Sequence, residues 1–173
     1  MQVKFNKNST VSIYMSDRNF IFEHCFNAPH ALREQIERAV NCNIWICPIR
    51  ENNVDLQSYY TISKNEIVIA DQSEFISDDE YFGVLTHLMA HSVGDFGKNR
   101  DYDGAESYAK EELVCECCSA MLLALMGLRK TLNEDSCMYR RIWEKSWNDE
   151  SFRKEIEQRA KVRFFAIMSN LYK

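Results

Sequence analysis

The chain is poor in the two residues that most often interrupt regular structure. Its 173 residues include only five glycines and two prolines, and no stretch has the composition of a flexible linker between domains. It contains neither an internal repeat nor a low-complexity tract. With 46% apolar residues, a chain of this length can bury one ordinary core. We therefore predict a single domain over residues 1–173.

Long apolar runs and basic runs are also missing. The longest apolar run, residues 120–127, is far shorter than the ~20 residues of a membrane-spanning helix, so we expect no membrane partner. The net charge is −5, and without a cluster of lysine or arginine the charge does not support nucleic-acid binding. Residues 1–9 lack the apolar segment of a secretory signal. Seven cysteines, an odd number, fit reduced thiols, and we expect a cytoplasmic protein.

Hydrophobic periodicity predicts an α+β fold, with a small mixed sheet in the N-terminal part packed on a helical C-terminal part. The predicted strands are residues 11–15, 20–26 and 43–49, and a hairpin joins 59–63 to 66–70. The predicted helices are residues 31–40, 77–94, 103–127, 136–147 and 150–172. Capping boxes are expected at the start of two of them, Ser77 with Glu80 and Asp103 with Glu106.

The most informative residues are His87 and His91, four positions apart in a predicted buried helix. This spacing places both imidazoles on one helix face, where they can share a metal ion. Zinc peptidases use this spacing with a glutamate directly after the first histidine, and here that position is Leu88. The competing interpretation is a pair of imidazoles that are hydrogen-bonded in the core or face water.

The next predicted helix supplies a third ligand, Glu112. One face of that helix carries Tyr108, Glu112, Cys115, Ser119 and Leu122. Because this face is otherwise small or apolar, the carboxylate of Glu112 should point inward, where it needs a compensating charge. Two histidines and a glutamate form a known catalytic zinc set that leaves one position for water.

Two further residues are predicted to support this site. Glu116, one turn after Glu112, would accept a hydrogen bond from a ligating imidazole and fix its tautomer. Tyr108, one turn before Glu112, would line the site. The alternatives are a solvated helix face for both glutamates and core packing for the tyrosine.

Other metal sets fit the sequence less well. Some zinc peptidases use a third histidine six residues after the second, but that position is Gly97. Asp95 is a candidate oxygen ligand that ranks below Glu112, because it coincides with the predicted helix end. Cys115 and Cys118 form a C-x2-C pair within a helix and have no well-matched second pair, which favours buried, inert thiols.

Several blocks together resemble the zincin-like metallopeptidase domain of the ArdC-type antirestriction proteins. They are residues 75–77, 81–82, the histidine pair with Gly94, residues 99–100 and residues 108–116. The last block is close to the family's pattern, with Cys115 where alanine is usual. The likeness covers roughly residues 58–173 and leaves residues 1–57 as an unassigned mixed α/β part. It implies a zincin-like fold with two ligand-bearing helices, and a gluzincin-like site in which His87, His91 and Glu112 hold a zinc ion.

The sequence departs from the family at Leu88, where the family has a glutamate. That glutamate would take a proton from the attacking water and pass it to the leaving amine, help that is typically worth ~10² to 10⁴ in rate. Leucine can do neither. Glu111 and Asp95 are conceivable substitutes, but Glu111 is offset by about 100° from Glu112 on its helix and should point elsewhere.

The family implies a setting for the protein. Its members are associated with plasmids, phages and conjugative elements, and some of them inhibit restriction systems. Many carry an upstream single-stranded-DNA-binding module, but this chain has no comparable basic module, so we do not extend DNA binding to it.

We therefore expect a metal-binding, zincin-like protein of mobile-element or phage origin. It would be a degenerate metallopeptidase that acts by binding a protein or peptide partner in antirestriction or host-defence conflict. The alternatives are an active zinc-dependent metallopeptidase with a different general base and a metal-free interaction domain. The sequence leaves open whether the chain is an enzyme and in which oligomeric state it works.

Overall fold

The computed structural model describes residues 3–5, 11–13, 29–94, 104–129 and 149–173. The strands are β1 (Val3–Phe5), β2 (Val11–Ile13), β3 (Ile49–Asn52), β4 (Tyr59–Thr61) and β5 (Glu66–Ala70). The helices are α1 (Pro29–Asn41), α2 (Asp78–Ser92), α3 (Ala105–Leu125) and α4 (Glu150–Leu171). This arrangement confirms the predicted α+β class, with a small mixed sheet beside a helical majority.

Strand β5 is the centre of a three-stranded sheet with the order β3-β5-β4. It runs parallel to β3 and antiparallel to β4, and Ile67 pairs with Ile49 on one side and Tyr60 on the other. Four consecutive residues of β5, from position 67 to 70, are buried. Because successive side chains of a strand point to opposite faces, both faces of β5 are covered. The predicted hairpin between β4 and β5 is confirmed.

Helix α2 is the buried helix at the centre of the fold, and it packs on the sheet, α3 and α4. Its start follows the predicted capping box. The Ser77 side chain accepts a hydrogen bond from the backbone N–H of Glu80, while the Glu80 carboxylate accepts one from the N–H of Ile76. Most of its residues are buried, as expected for a helix that is apolar on nearly all sides. The sequence prediction for this helix is confirmed to within two residues.

Helices α2 and α3 approach closely at a cluster of small residues. The hydroxyl of Ser119 on α3 donates to the carbonyl oxygen of Gly83 on α2 at 3.0 Å. The hydroxyl oxygens of Thr86 and Ser119 lie 2.8 Å apart, and both side chains are fully buried. Small side chains let the helix backbones come together, and the hydrogen bonds satisfy polar groups that would otherwise be costly to bury. This contact sets the position of α3 relative to the histidine helix.

The predicted strand at residues 43–49 is wrong. The prediction rests on the consecutive apolar residues Ile44, Trp45 and Ile46, of which only Trp45 is buried. The segment instead forms a turn in which Asn43 adopts a positive φ of 48° and its side-chain oxygen accepts the N–H of Ile49. In the described part of the chain no strand includes residues 43–48, and β3 begins only at Ile49.

The second predicted capping box is also wrong. The N-cap of α3 is Gly104, whose φ of 95° suits glycine, and no described side chain caps this end. Asp103, the predicted cap, lies outside the described residues. The predicted strand at residues 20–26, the predicted helix at 136–147 and Asp95 lie outside the described residues. The predicted last helix is present as α4, with Asp149 as its N-cap. No helix in the described part of the chain combines the length and apolar character of a membrane span.

Candidate metal centre

His87, His91 and Glu112 converge on one point between α2 and α3. Nε2 of His87 lies 3.1 Å from Nε2 of His91 and 3.1 Å from Oε2 of Glu112. Nε2 of His91 lies 3.3 Å from Oε1 of Glu112. The structure thus brings together the three residues that the sequence predicts as ligands, and each imidazole faces Glu112 with its Nε2 atom. Their role as ligands stays a prediction.

These three contacts cannot all be good hydrogen bonds at once. A carboxylate only accepts hydrogen bonds, so each Nε2 would have to carry a proton to bond with Glu112. The Nε2 atoms of His87 and His91 would then face each other as two donors at 3.1 Å. A positive ion between the three groups removes this conflict, because all three then present lone pairs to it.

The spacing of these atoms also suits a small divalent ion. Nitrogen and oxygen ligands bind Zn²⁺ at about 2.0–2.2 Å in a tetrahedron, which separates neighbouring ligand atoms by roughly 3.3–3.6 Å. The separations of 3.1 to 3.3 Å here are close to that range. Glu112 is only 6% exposed, and a buried carboxylate needs positive charge nearby. The residues present therefore fit a metal ion.

Glu116 lies behind His87 as the sequence predicts. Its Oε1 is 3.3 Å from Nδ1 of His87, within ion-pair distance but without the angles of a hydrogen bond. Tyr108 keeps 42% of its surface exposed, so the alternative of core packing is wrong for this residue. A role for Glu116 or Tyr108 in supporting the metal ligands stays a prediction.

Glu111 does not point away from the site, contrary to the expectation from its helical offset. It is only 1% exposed, and its Oε1 lies 3.5 Å from Nδ1 of His91. Its other partner is Arg163 on α4, whose guanidinium donates to both carboxylate oxygens, with Nη2 2.7 Å from Oε2. Arg159 reaches the same carboxylate from a more exposed position, at 3.4 Å. Glu111 is therefore held in an ion pair on the Nδ1 side of His91.

A second cluster shares His91 with the first. His91, Glu111 and Cys115 also place potential ligand atoms close together. In this cluster, however, the Nη1 atom of Arg163 already contacts Glu111 and lies 2.8 Å from the Cys115 sulfur. The positively charged guanidinium of Arg163 therefore already contacts two of the three groups that would have to bind a metal ion. The cluster around Glu112 is the better candidate for a metal site.

The electrostatics of the site follow from burial and close charges. Burial opposes ionisation of both glutamates, but His91 and Arg163 lower the pKa of Glu111 to about 2. The two imidazoles likewise hold the pKa of Glu112 well below its usual range against burial. Burial lowers the pKa of His91, but Cys115, Glu111 and Glu112 outweigh it and raise that pKa well above the ordinary value. The site therefore favours positive charge between two carboxylates.

Two contacts at this site were not predicted from the sequence. The ring of Tyr60 on β4 stacks on the imidazole of His91, with 6.4 Å between centroids and 5° between planes. The guanidinium of Arg163 packs against Gly94, where an added Cβ would lie 2.6 Å from its Nη2 atom. Both residues come from elements distant in the sequence. The local signal was that Glu111 directly precedes Glu112 in the chain.

The chain matches a known family model. Residues 45–160 match the model MPTase-PolyVal, described as a zincin-like metallopeptidase. This stretch contains all three candidate ligands and begins earlier than the likeness seen in the sequence.

Known structures and one curated protein are also similar. The manganese(II)-bound structure of the antirestriction protein ArdC from plasmid R388 superposes with a TM-score of 0.65 at 19% identity, covering 93% of this chain and 56% of that one. The metal-free ArdC structure superposes with a TM-score of 0.65 at 23% identity, covering 82% of this chain and 50% of that one. The DNA primase TraC of Escherichia coli is 29% identical over 98 residues, 54% of this chain but 7% of TraC. The fold is thus that of ArdC, and the chain spans about half the length of those structures.

The contact between Gly94 and Arg163 yields a stability prediction. In Gly94→Ala the new methyl group would overlap the buried guanidinium and push it away from Glu111. We expect a loss of about 1–3 kcal/mol in the free energy of unfolding, measured by urea denaturation. In a Glu111→Leu/Arg163→Leu background the same substitution should cost much less, because the guanidinium is gone. An equal cost in both backgrounds would contradict this account of Gly94.

Proposed function

Because this chain belongs to the family of zincin-like metallopeptidases, we propose that it binds a divalent metal ion through His87, His91 and Glu112 and acts mainly by binding a protein partner. A divalent ion in this position would act as a Lewis acid toward a carbonyl oxygen. Two imidazoles and a carboxylate suit several first-row metals. We expect zinc, and the manganese(II) in the ArdC structure makes manganese the second ion to test.

The residue at position 88 supports reduced peptidase activity. Leu88 is 5% exposed and belongs to the hydrophobic core, and it cannot accept a proton. Besides Glu112, two carboxylates of α3 lie within ion-pair distance of an imidazole nitrogen, and each already contacts a positively charged or imidazole group. Glu111 is paired with Arg163, and Glu116 lies beside Nδ1 of His87. The three candidate ligands are therefore present, whereas position 88, where the family has its proton carrier, holds a leucine.

The antirestriction part of the proposal comes from the fold. The structures that superpose on most of this chain are those of an antirestriction protein. A protein that interferes with restriction needs a partner surface and can act without turnover. Metal binding would then stabilise the folded state that presents this surface, since a ligand that binds only the folded state raises its stability.

Metal content is the first prediction from this proposal. Protein purified without chelator or nickel resin should contain close to one divalent ion per chain, measured by inductively coupled plasma mass spectrometry. His87→Ala and His91→Ala should lose that ion. His30→Ala is the matched control, because His30 is exposed on α1, and it should keep the ion. A content near zero in the wild type, unchanged after addition of zinc or manganese, would refute the proposed metal site.

Restoring a carboxylate at position 88 tests the missing proton carrier. The wild type should not cleave a peptide library, whereas Leu88→Glu should show cleavage that a chelator abolishes, with a gain of up to ~10² to 10⁴. Leu88→Gln is the matched control, because it buries a polar group of the same size without a base. Circular dichroism would confirm that both variants fold. Chelator-sensitive cleavage by the wild type itself would support the alternative, an active peptidase with another base.

The biological role can be tested in bacteria. Strains with different restriction systems would be challenged with unmodified phage, with and without expression of the protein. We expect a higher plating efficiency for at least one restriction system, retained in His30→Ala and lost in His91→Ala. Plating that stays unchanged across the panel, while the folded protein is detected in the cells, would contradict the antirestriction role.

A further inference from the structure

An ion pair between α3 and α4 is buried directly behind the metal-facing side of His91. Glu111 and Arg163 are 1% and 5% exposed, and the guanidinium binds the carboxylate through two nitrogens. The same carboxylate oxygen that meets Nη1 of Arg163 lies 3.5 Å from Nδ1 of His91. His91 therefore faces Glu112 with one nitrogen and Glu111 with the other.

Stability alone is a weak reason for this ion pair. Removing two charges from water often costs more than their attraction returns, and an apolar pair of similar volume is often as stable. The chain also leaves space for the guanidinium, since any side chain at Gly94 would overlap it. Arg159 and Cys115 also contact this ion pair, but the ring group beside it is the imidazole of His91. A fixed carboxylate next to an imidazole nitrogen is suited to orienting that imidazole.

We propose that Glu111 and Arg163 are positioning residues for His91. Glu111 would accept the Nδ1–H of His91, which leaves Nε2 without a proton and turned toward His87 and Glu112. Arg163 would hold Glu111 in place by its two-pronged contact. The contact of 3.5 Å is long for a hydrogen bond, and a small rotation of either side chain closes it. This inference rests on the proposed metal site.

The arrangement would couple metal binding to the last helix. Arg163 lies on α4, 52 residues after Glu111, so α4 must be docked for Glu111 to be held. Coupling of this kind is reciprocal. A metal ion bound at His91 would strengthen the docking of α4, and loosening of α4 would weaken metal binding.

The experiment measures zinc affinity by competition with a chromophoric chelator. In Glu111→Leu/Arg163→Leu both charges are removed together, so no unpaired charge stays buried. We expect affinity to fall by roughly 10- to 100-fold, the usual effect of losing a partner behind a metal ligand. Glu111→Gln/Arg163→Met keeps an acceptor oxygen beside His91 and should recover part of the loss. A purely structural role would not distinguish these two variants if both fold equally well.

The chain offers a matched control for the helix contact itself. Lys110 and Glu155 form an ion pair between the same two helices, with 2.6 Å between Nζ and Oε1. Lys110→Met/Glu155→Gln should keep wild-type zinc affinity. If the double leucine variant fails to fold, Arg163→Lys is the substitute, because it keeps the charge but loses the two-pronged contact. It should also bind zinc more weakly than the wild type.

The outcomes separate this inference from the proposed function. A wild type that binds zinc, with unchanged affinity in the folded double leucine variant or in Arg163→Lys, would overturn the positioning role alone. A wild type that binds no zinc would overturn the metal site and this inference with it. Loss of zinc in Cys115→Ala but not in His87→Ala would place the ion in the second cluster and overturn both.

Discussion

The close contact between α2 and α3 is the constraint on which the candidate site depends. His87 and Glu112 are 25 residues apart in the sequence, and only the packing of their helices brings the two histidines and Glu112 together. Gly83, Thr86 and Ser119 allow this approach because they are small and satisfy one another's polar groups. With the helices so close, both Nε2 atoms and the carboxylate meet at about the spacing of ligands on one small ion.

The parts of the fold that the sequence predicts well are those governed by local periodicity. The buried α2, its cap at Ser77 and the convergence of Glu112 with the histidines follow from helical spacing and from a carboxylate on an apolar face. The strand prediction failed at residues 43–48, where an apolar run has no strand to pair with in the described part of the chain. A strand needs a partner as well as a pattern, and the partner is not visible locally.

The position of Glu111 shows a second limit of sequence reasoning. An offset of about 100° places Glu111 on a different face of the helix from Glu112. The elements that pack on the helix decide what that face contacts. Here α4 covers the adjacent face and supplies Arg163, which makes a polar pocket for Glu111 beside His91. The arginine is 52 residues away, so no local pattern reveals it. Helical spacing in the sequence thus predicts the candidate ligands, whereas only the tertiary structure shows the ion pair of Glu111 and Arg163 beside them.

In the proposed function, metal binding and peptide hydrolysis are separable, because the candidate ligands lie on two helices whereas the family's proton carrier corresponds to the single position 88. Anomalous diffraction at the zinc or manganese edge tests the central claim most directly. The account predicts one peak about 2.0–2.2 Å from Nε2 of His87, Nε2 of His91 and a carboxylate oxygen of Glu112. A fully loaded crystal with no peak there, or with its peak beside Cys115, would contradict it.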